Sequence, residues 1–144
     1  MKLNNIFIIE ANWGAIKPEY LYHCTSEKFL PFIMRGGLPE AKSGRGIYLC
    51  KDIATARSFA TANNYYDLDD PIMIQIDCKY IDFDKLKPDP AMVGAHVKKY
   101  AMGDPMELEK YKMYKNEAPW YFGLMISNCD LYYGTVPLKA IKVL

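Results

Sequence analysis

Two stretches of the sequence decide the fold: YLYHCTS at Tyr20–Ser26 and GIYLCKDIATARSFA at Gly46–Ala60. Tyr20 to Cys24 and Gly46 to Cys50 have short apolar patterns typical of strands, and each is followed along the chain by a pattern typical of a helix. Thr25 or Ser26 is suited to cap the first helix, which we expect to end at Gly36-Gly37, and Asp52 is suited to cap the second. Each stretch therefore predicts a strand followed by a helix.

Outward from these stretches, the sequence predicts further short strands. They cover Asn5 to Ala11, Pro71 to Asp77, Leu131 to Tyr133 and Ala140 to Leu144. Helical patches are expected between residues 91 and 118. Because helices and short strands are interspersed without a βαβ rhythm, we predict an α+β domain with antiparallel sheets. No GxGxxG or GxxxxGK[ST] motif is present, so the usual nucleotide-phosphate loops are missing.

Length and composition set the broad class. A chain of 144 residues with 51% apolar residues predicts one globular domain, residues 1–144. A net charge of +1 argues against a dedicated nucleic-acid binder. The apolar run in MKLNNIFIIEANW is too short for a signal peptide or a membrane span. We therefore expect a cytoplasmic protein that does not bind membranes.

The cysteines and histidines show no metal-binding pattern. None of the four cysteines, Cys24, Cys50, Cys78 and Cys129, forms a CxxC pair, and no HExxH motif occurs. Two disulfides are the alternative to free thiols. Because the chain has enough apolar residues for a core and no export signal, we expect reduced thiols and no bound metal.

Side-chain alternation along the strands indicates a small-molecule site. His23 and Thr25 point to one face of their strand and Cys24 points to the other, so an imidazole and a hydroxyl can meet one ligand. Tyr48 and Cys50 share one face of the next strand, where the tyrosine ring can stack on a flat heterocycle.

The order LYHCTS, GLPE and GIYLCKD, followed by an alanine-containing helix, resembles the ADP-ribosyltransferase superfamily of the histidine-tyrosine-glutamate type. The resemblance covers about residues 20 to 80 and extends more weakly to YYGTVPLKAIKVL at the C-terminus. RNA 2'-phosphotransferases are more distant members of that group. The resemblance implies a split antiparallel β-sandwich with flanking helices.

The resemblance also implies roles for individual residues. His23 would bind the nicotinamide-side ribose of NAD, with Cys24 and Thr25 beside it, and Tyr48 would stack on the nicotinamide. The third residue is an acid near a late strand, for which the candidates are Glu117, which we favour, and Asp130. Arg45 is expected to contact the pyrophosphate, because a guanidinium binds phosphate oxygens bidentately. Arg35 and Arg57 are further polar candidates.

These features predict an NAD-dependent mono-ADP-ribosyltransferase, a glycosyltransferase that uses NAD as substrate. The expected acceptor is a macromolecule, a protein before a nucleic acid, and the small size suggests a toxin or a phage-encoded effector. One alternative is a non-enzymatic module of the same fold that binds a nucleotide or inhibits a partner protein. Another is 2'-phosphate transfer from RNA to NAD. That reaction would be expected to need several arginines in the cleft, and the sequence has few: Arg35, Arg45 and Arg57.

Overall fold

The computed structural model describes residues 17–40, 44, 46–62, 70–98 and 117–144. Within these ranges the chain is a mixture of α-helices and antiparallel strands, which confirms the α+β class. The predicted strand Asn5 to Ala11 and the candidate Arg45 lie outside the described residues, as do residues 99–116 of the region expected to be helical.

The described strands fall close to the predicted ones, except for the strand at Leu86–Lys87, where none was predicted. They are β1 (Tyr20–Ser26), β2 (Ile47–Cys50), β3 (Pro71–Asp77), β4 (Leu86–Lys87), β5 (Cys129–Tyr132) and β6 (Ile141–Val143). The described α-helices are α1 (Leu30–Gly36), α2 (Ile53–Ala62), α3 (Pro90–His96) and α4 (Pro119–Ser127). The cap predicted for α2 is confirmed, because the backbone N–H of Thr55 donates to Asp52 Oδ1 over 2.7 Å.

The six strands form one antiparallel sheet in the order β4-β5-β2-β1-β3-β6. β1 pairs with β3 along all seven of its residues, and β2 pairs with β5 along all four. Between β1 and β2, at the centre, the described residues form a single backbone pair, Tyr22–Cys50. The sheet therefore consists of two three-stranded halves that meet at one residue pair.

The main core lies on one face of the sheet. Its buried side chains come from the central strands, from α1 and from α4: among them are Leu21, Ile33, Leu49, Ile74, Ile76, Trp120 and Leu124. A smaller cluster lies on the opposite face, where Ala56 and Phe59 of α2 pack against Cys50, Met73 and Cys129. We call these the α4 face and the α2 face.

A backbone bridge joins two of the motifs noted in the sequence. The N–H of Leu38 donates to the carbonyl of Val136 over 3.0 Å, and the N–H of Val136 donates back over 2.9 Å. Gly37 precedes this bridge with a φ of 86°, and a Cβ there would collide with the Val136 carbonyl. The GLPE segment and the C-terminal GTVP segment are therefore adjacent in the fold.

The expectation of reduced thiols is wrong for two cysteines. Cys50 and Cys129 face each other across β2 and β5, with Cα atoms 4.1 Å apart, and form a disulfide. Cys24 and Cys78 are free. The two bonded cysteines are 79 positions apart in sequence, so only the register between their strands brings them together.

None of the helices in the described ranges has the length and apolar character needed to cross a membrane.

Candidate functional site

The candidate site lies where β1 and β2 separate. Beyond Tyr22–Cys50 the facing edges of these strands form no further pairs with each other. His23 Nδ1 lies 2.8 Å from the backbone carbonyl oxygen of Tyr48. A carbonyl only accepts, so Nδ1 carries the proton and donates it. The imidazole thus connects the two strands where backbone pairing has stopped.

This hydrogen bond also fixes what His23 offers to a ligand. In the neutral imidazole only one nitrogen carries a proton, so Nε2 has a lone pair that accepts a hydrogen bond. Burial lowers the pKa of His23 below its ordinary value, an effect that the bond to Tyr48 partly opposes. At neutral pH, His23 is therefore an uncharged acceptor for a group such as a ribose hydroxyl.

Tyr48 is held at its hydroxyl and along its ring. The hydroxyl donates to Asp89 Oδ2 over 2.7 Å. The Phe59 ring, from α2, lies 5.0 Å away between ring centroids at an interplanar angle of 43°. All three side chains are only partly buried. Tyr48 is therefore restrained in orientation near the surface, as a stacking platform must be.

Asp89 is the site residue that the sequence analysis missed. Its second oxygen, Oδ1, accepts from the backbone N–H of Ala91 over 3.0 Å and caps α3. The local signal was present, because Pro88-Asp89-Pro90 is the pattern of an N-cap followed by proline in the first helical turn. That pattern predicts a helix start, but it does not show that the carboxylate reaches a tyrosine 41 positions away.

The register across strands places the predicted site residues on two faces. Tyr22 pairs with Cys50, so Cys24 belongs to the same face as Tyr48, and both pack against the cluster on the α2 face. His23 and Thr25 alternate to the α4 face, where their partners on β3 are Ile74 and Ile72. His23 and Tyr48 therefore meet at the gap between the strands, through a side chain and a backbone carbonyl.

Cys24 is a free, partly buried thiol. Burial raises its pKa, and the positive charge of Arg57 acts in the opposite direction. The protonated thiol is consequently the form present at neutral pH.

The two candidate acids have opposite environments. Glu117 is exposed, directly before the buried Ala118 that precedes α4. Asp130 is fully buried on β5, and neither carboxyl oxygen has a hydrogen-bond partner among the described residues. Its neighbour is Gly123 of α4, where a Cβ would collide with the carboxyl group. Burial raises the pKa of Asp130 to about 9, so it is protonated at neutral pH.

In the described ranges, no group of three or more His, Cys, Asp or Glu side chains is placed to hold a metal ion. Of the predicted polar candidates, Arg35 and Arg57 are exposed side chains on α1 and α2.

No protein-family model matches the chain, and no curated protein matches it. The case for a function therefore depends on the geometry of the site and on the residues that occupy it.

Proposed function

We propose that this protein is an ADP-ribosyltransferase that transfers ADP-ribose from NAD to a macromolecular acceptor. The observation that supports the proposal most is the hydrogen bond from His23 to the Tyr48 carbonyl at the open edge between β1 and β2. It joins the His23 imidazole to the backbone of Tyr48, whose ring lies on the other face of the sheet, and it leaves Nε2 as an acceptor. The six strands form one sheet, and its near-division at Tyr22–Cys50 is the feature that comes nearest to the split sandwich expected for that family.

The proposed ligand occupies the gap between the two strands. A ribose hydroxyl donates to His23 Nε2 on one side, and the nicotinamide ring stacks on Tyr48 on the other. Strand edges without ladder partners present backbone N–H and C=O groups, and a carboxamide has both a donor and an acceptor to match them. Thr25 adds a hydroxyl on the face of His23.

The chemical step is cleavage of the bond between C1' of the ribose and the nicotinamide nitrogen. The bond's electron pair leaves with nicotinamide, and positive charge develops on the ribose. What this chain supplies is a fixed orientation of the ring and the ribose, together with electrostatic stabilisation. Glu117 remains the proposed carboxylate that accepts the proton of the attacking group, since it is exposed where a macromolecule can approach it.

An exposed Glu117 can also be a surface residue with no part in catalysis. The second candidate is therefore a module of the same fold that binds a nucleotide or a partner protein without turnover. In that case NAD binds or a partner is captured, but nicotinamide is not released.

The proposal is tested by incubating the protein with host lysate and NAD labelled in the adenylate part. We expect label on a macromolecule and release of nicotinamide. His23→Ala and Tyr48→Ala should abolish both, whereas His96→Ala and Tyr80→Phe, whose rings contact Phe122 and Lys79, should not. Undiminished transfer by both site variants would refute the site assignment. Label transfer by wild type and not by Glu117→Gln would support the role of Glu117, and NAD binding without nicotinamide release would favour the binding module.

A further inference from the structure

Three of the four cysteines lie together on the α2 face of the sheet. Cys50 and Cys129 form the disulfide between β2 and β5, and Cys24 of β1 packs against the cluster to which both belong. The strand order β5-β2-β1 places Cys129, Cys50 and Cys24 on successive strands. Cys78, the fourth cysteine, belongs to the main core. The free thiol of Cys24 is therefore one strand away from the bonded sulfur of Cys50.

The disulfide is shielded from the solution, whereas the thiol of Cys24 is not. Cys50 and Cys129 are each 1% exposed, and Cys24 is partly exposed. Thiol–disulfide exchange requires that the attacking thiol reach a disulfide sulfur. A thiol in solution is kept away from this disulfide by burial. Cys24, which belongs to the same face, is already inside that barrier.

The register shows what a bond between Cys24 and Cys50 would require. Tyr22 is opposite Cys50, and Cys24 lies two residues further along β1 on the same face, so Cys24 and Cys50 are diagonal neighbours. Diagonal neighbours lie about 7–8 Å apart, whereas bonded cysteines have Cα atoms about 4.4–6.8 Å apart. The bond therefore needs β1 to move toward β2. The described residues of these strands form no backbone pair beyond Tyr22–Cys50 that would hold them at their present separation.

We propose that Cys24 exchanges with the buried disulfide and that the exchange closes the gap between β1 and β2. The Cys24 thiolate attacks Cys50 Sγ and forms a new S–S bond, and the bond to Cys129 breaks with its electron pair on the Cys129 sulfur, which then takes up a proton. One disulfide replaces another, so no oxidant or reductant is consumed. Regulation of the site rests on the proposed function: once β1 is drawn to β2, the gap no longer admits NAD.

The rate of this exchange should depend on pH. Burial raises the pKa of Cys24, and the positive charge of Arg57 on α2 opposes that effect. Because the thiolate is the attacking form, the rate should rise about tenfold for each pH unit below that pKa. Burial raises the pKa of Cys78 to about 12, so Cys78 is a much poorer source of thiolate.

Peptide mapping by mass spectrometry tests the exchange. Wild type is kept folded without reductant at pH 7 and pH 8, quenched with acid, denatured, and alkylated before digestion. We expect a peptide pair joined by Cys24–Cys50 together with alkylated Cys129, formed faster at pH 8. Cys78→Ala is the matched control and should behave like wild type. Finding only the Cys50–Cys129 bond at both pH values would overturn the proposal, and so would bonds to Cys78, since these would show exchange through unfolded chain.

The effect on the site is tested with Cys129→Ala, in which Cys24 and Cys50 are both thiols. Oxidised glutathione should join them, and calorimetric titration should show NAD binding before oxidation, its loss afterwards and its return with dithiothreitol. In the control, Cys24→Ala with Cys129→Ala, the same treatment should leave NAD binding unchanged. Unaltered NAD binding in the joined form would overturn the regulation. If the bond forms but the reduced protein and wild type do not bind NAD, the proposed function fails and the exchange stands.

Discussion

The two edges of β1 differ sharply, although they belong to the same seven residues. Toward β3 every residue of β1 has a partner, whereas toward β2 only Tyr22 has one, and the His23 side chain forms the next connection. A fully paired edge stabilises the sheet and leaves no backbone groups for a ligand. An unpaired edge contributes less stability and presents polar groups. We expect substitutions at the closed edge to change stability and substitutions at the open edge to change binding.

The largest effect is expected at the closed edge. Ile74 lies opposite His23 on β3 and is fully buried. Ile74→Ala should lower the free energy of unfolding by about 2–5 kcal/mol, because it leaves a cavity in the main core. Urea unfolding followed by circular dichroism measures this. A loss below about 1 kcal/mol would show that the paired edge between β1 and β3 does not make the expected contribution to the free energy of unfolding.

Removing the disulfide should have the next largest effect. Cys50 is both the partner of Tyr22 and the residue bonded to Cys129, so the bond secures β2 where the two halves of the sheet meet. The double variant Cys50→Ala with Cys129→Ala should lose about 2–4 kcal/mol of stability. Cys24→Ala, which removes a free thiol, is the control. If both variants unfold at the same urea concentration, the disulfide does not stabilise the junction between the two halves of the sheet.

A pH-dependent effect is expected from Asp130, on the half of the sheet that contains β2. Above about pH 4 the unfolded chain gives up this proton, whereas the folded chain keeps it up to a pKa of about 9. Since the unfolded state then binds fewer protons, stability falls as the pH rises through this window. The stability of Asp130→Asn minus that of wild type should therefore increase from pH 5 to pH 8.5. A difference that is constant with pH would contradict the buried, protonated state of Asp130.

The smallest effect on stability is expected at the open edge. In His23→Asn the side-chain amide takes the place of the Nδ1–H donor to Tyr48 but provides nothing at the position of Nε2. We expect a change in stability of less than about 1 kcal/mol together with a loss of NAD binding. Wild-type binding should also weaken on acidification below the ordinary histidine pKa of about 6.5, since protonation removes the Nε2 acceptor. Calorimetric titration with NAD at pH 5 and pH 7.5 measures the loss of binding and its pH dependence, and urea unfolding measures the change in stability.

The sequence predicted the parts of this fold that local patterns determine. The strand-to-helix transition at Asp52 and the end of α1 at Gly36-Gly37 follow from capping residues and apolar spacing. The cap predicted at Thr25 or Ser26 is wrong, because Ser26 leads into a short 3-10 helix, Glu27–Phe29, without a side-chain cap hydrogen bond, and α1 begins after it. Alternation also gave the relative faces of His23 and Cys24 within β1. In each case the controlling residues lie within a few positions of one another.

What the sequence did not provide depends on register between distant strands. The pair Tyr22–Cys50 decides that His23 and Tyr48 approach from different faces, and the pair Cys50–Cys129 decides the disulfide. The bond from Tyr48 to Asp89 depends in the same way on the position of β4 beside β5. No local pattern specifies these neighbours, because each joins segments that other elements separate in the chain.

Hydrogen exchange of the backbone amides with and without NAD tests the central claim most directly, because it reports where the ligand lies and does not require turnover. We predict that NAD slows exchange at the facing edges of β1 and β2, within Cys24 to Ser26 and Ile47 to Leu49, and leaves β3 and β6 unchanged. His23→Asn should show no such protection. Protection confined to other segments, or equal protection in wild type and His23→Asn, would contradict a nucleotide site in the gap between β1 and β2.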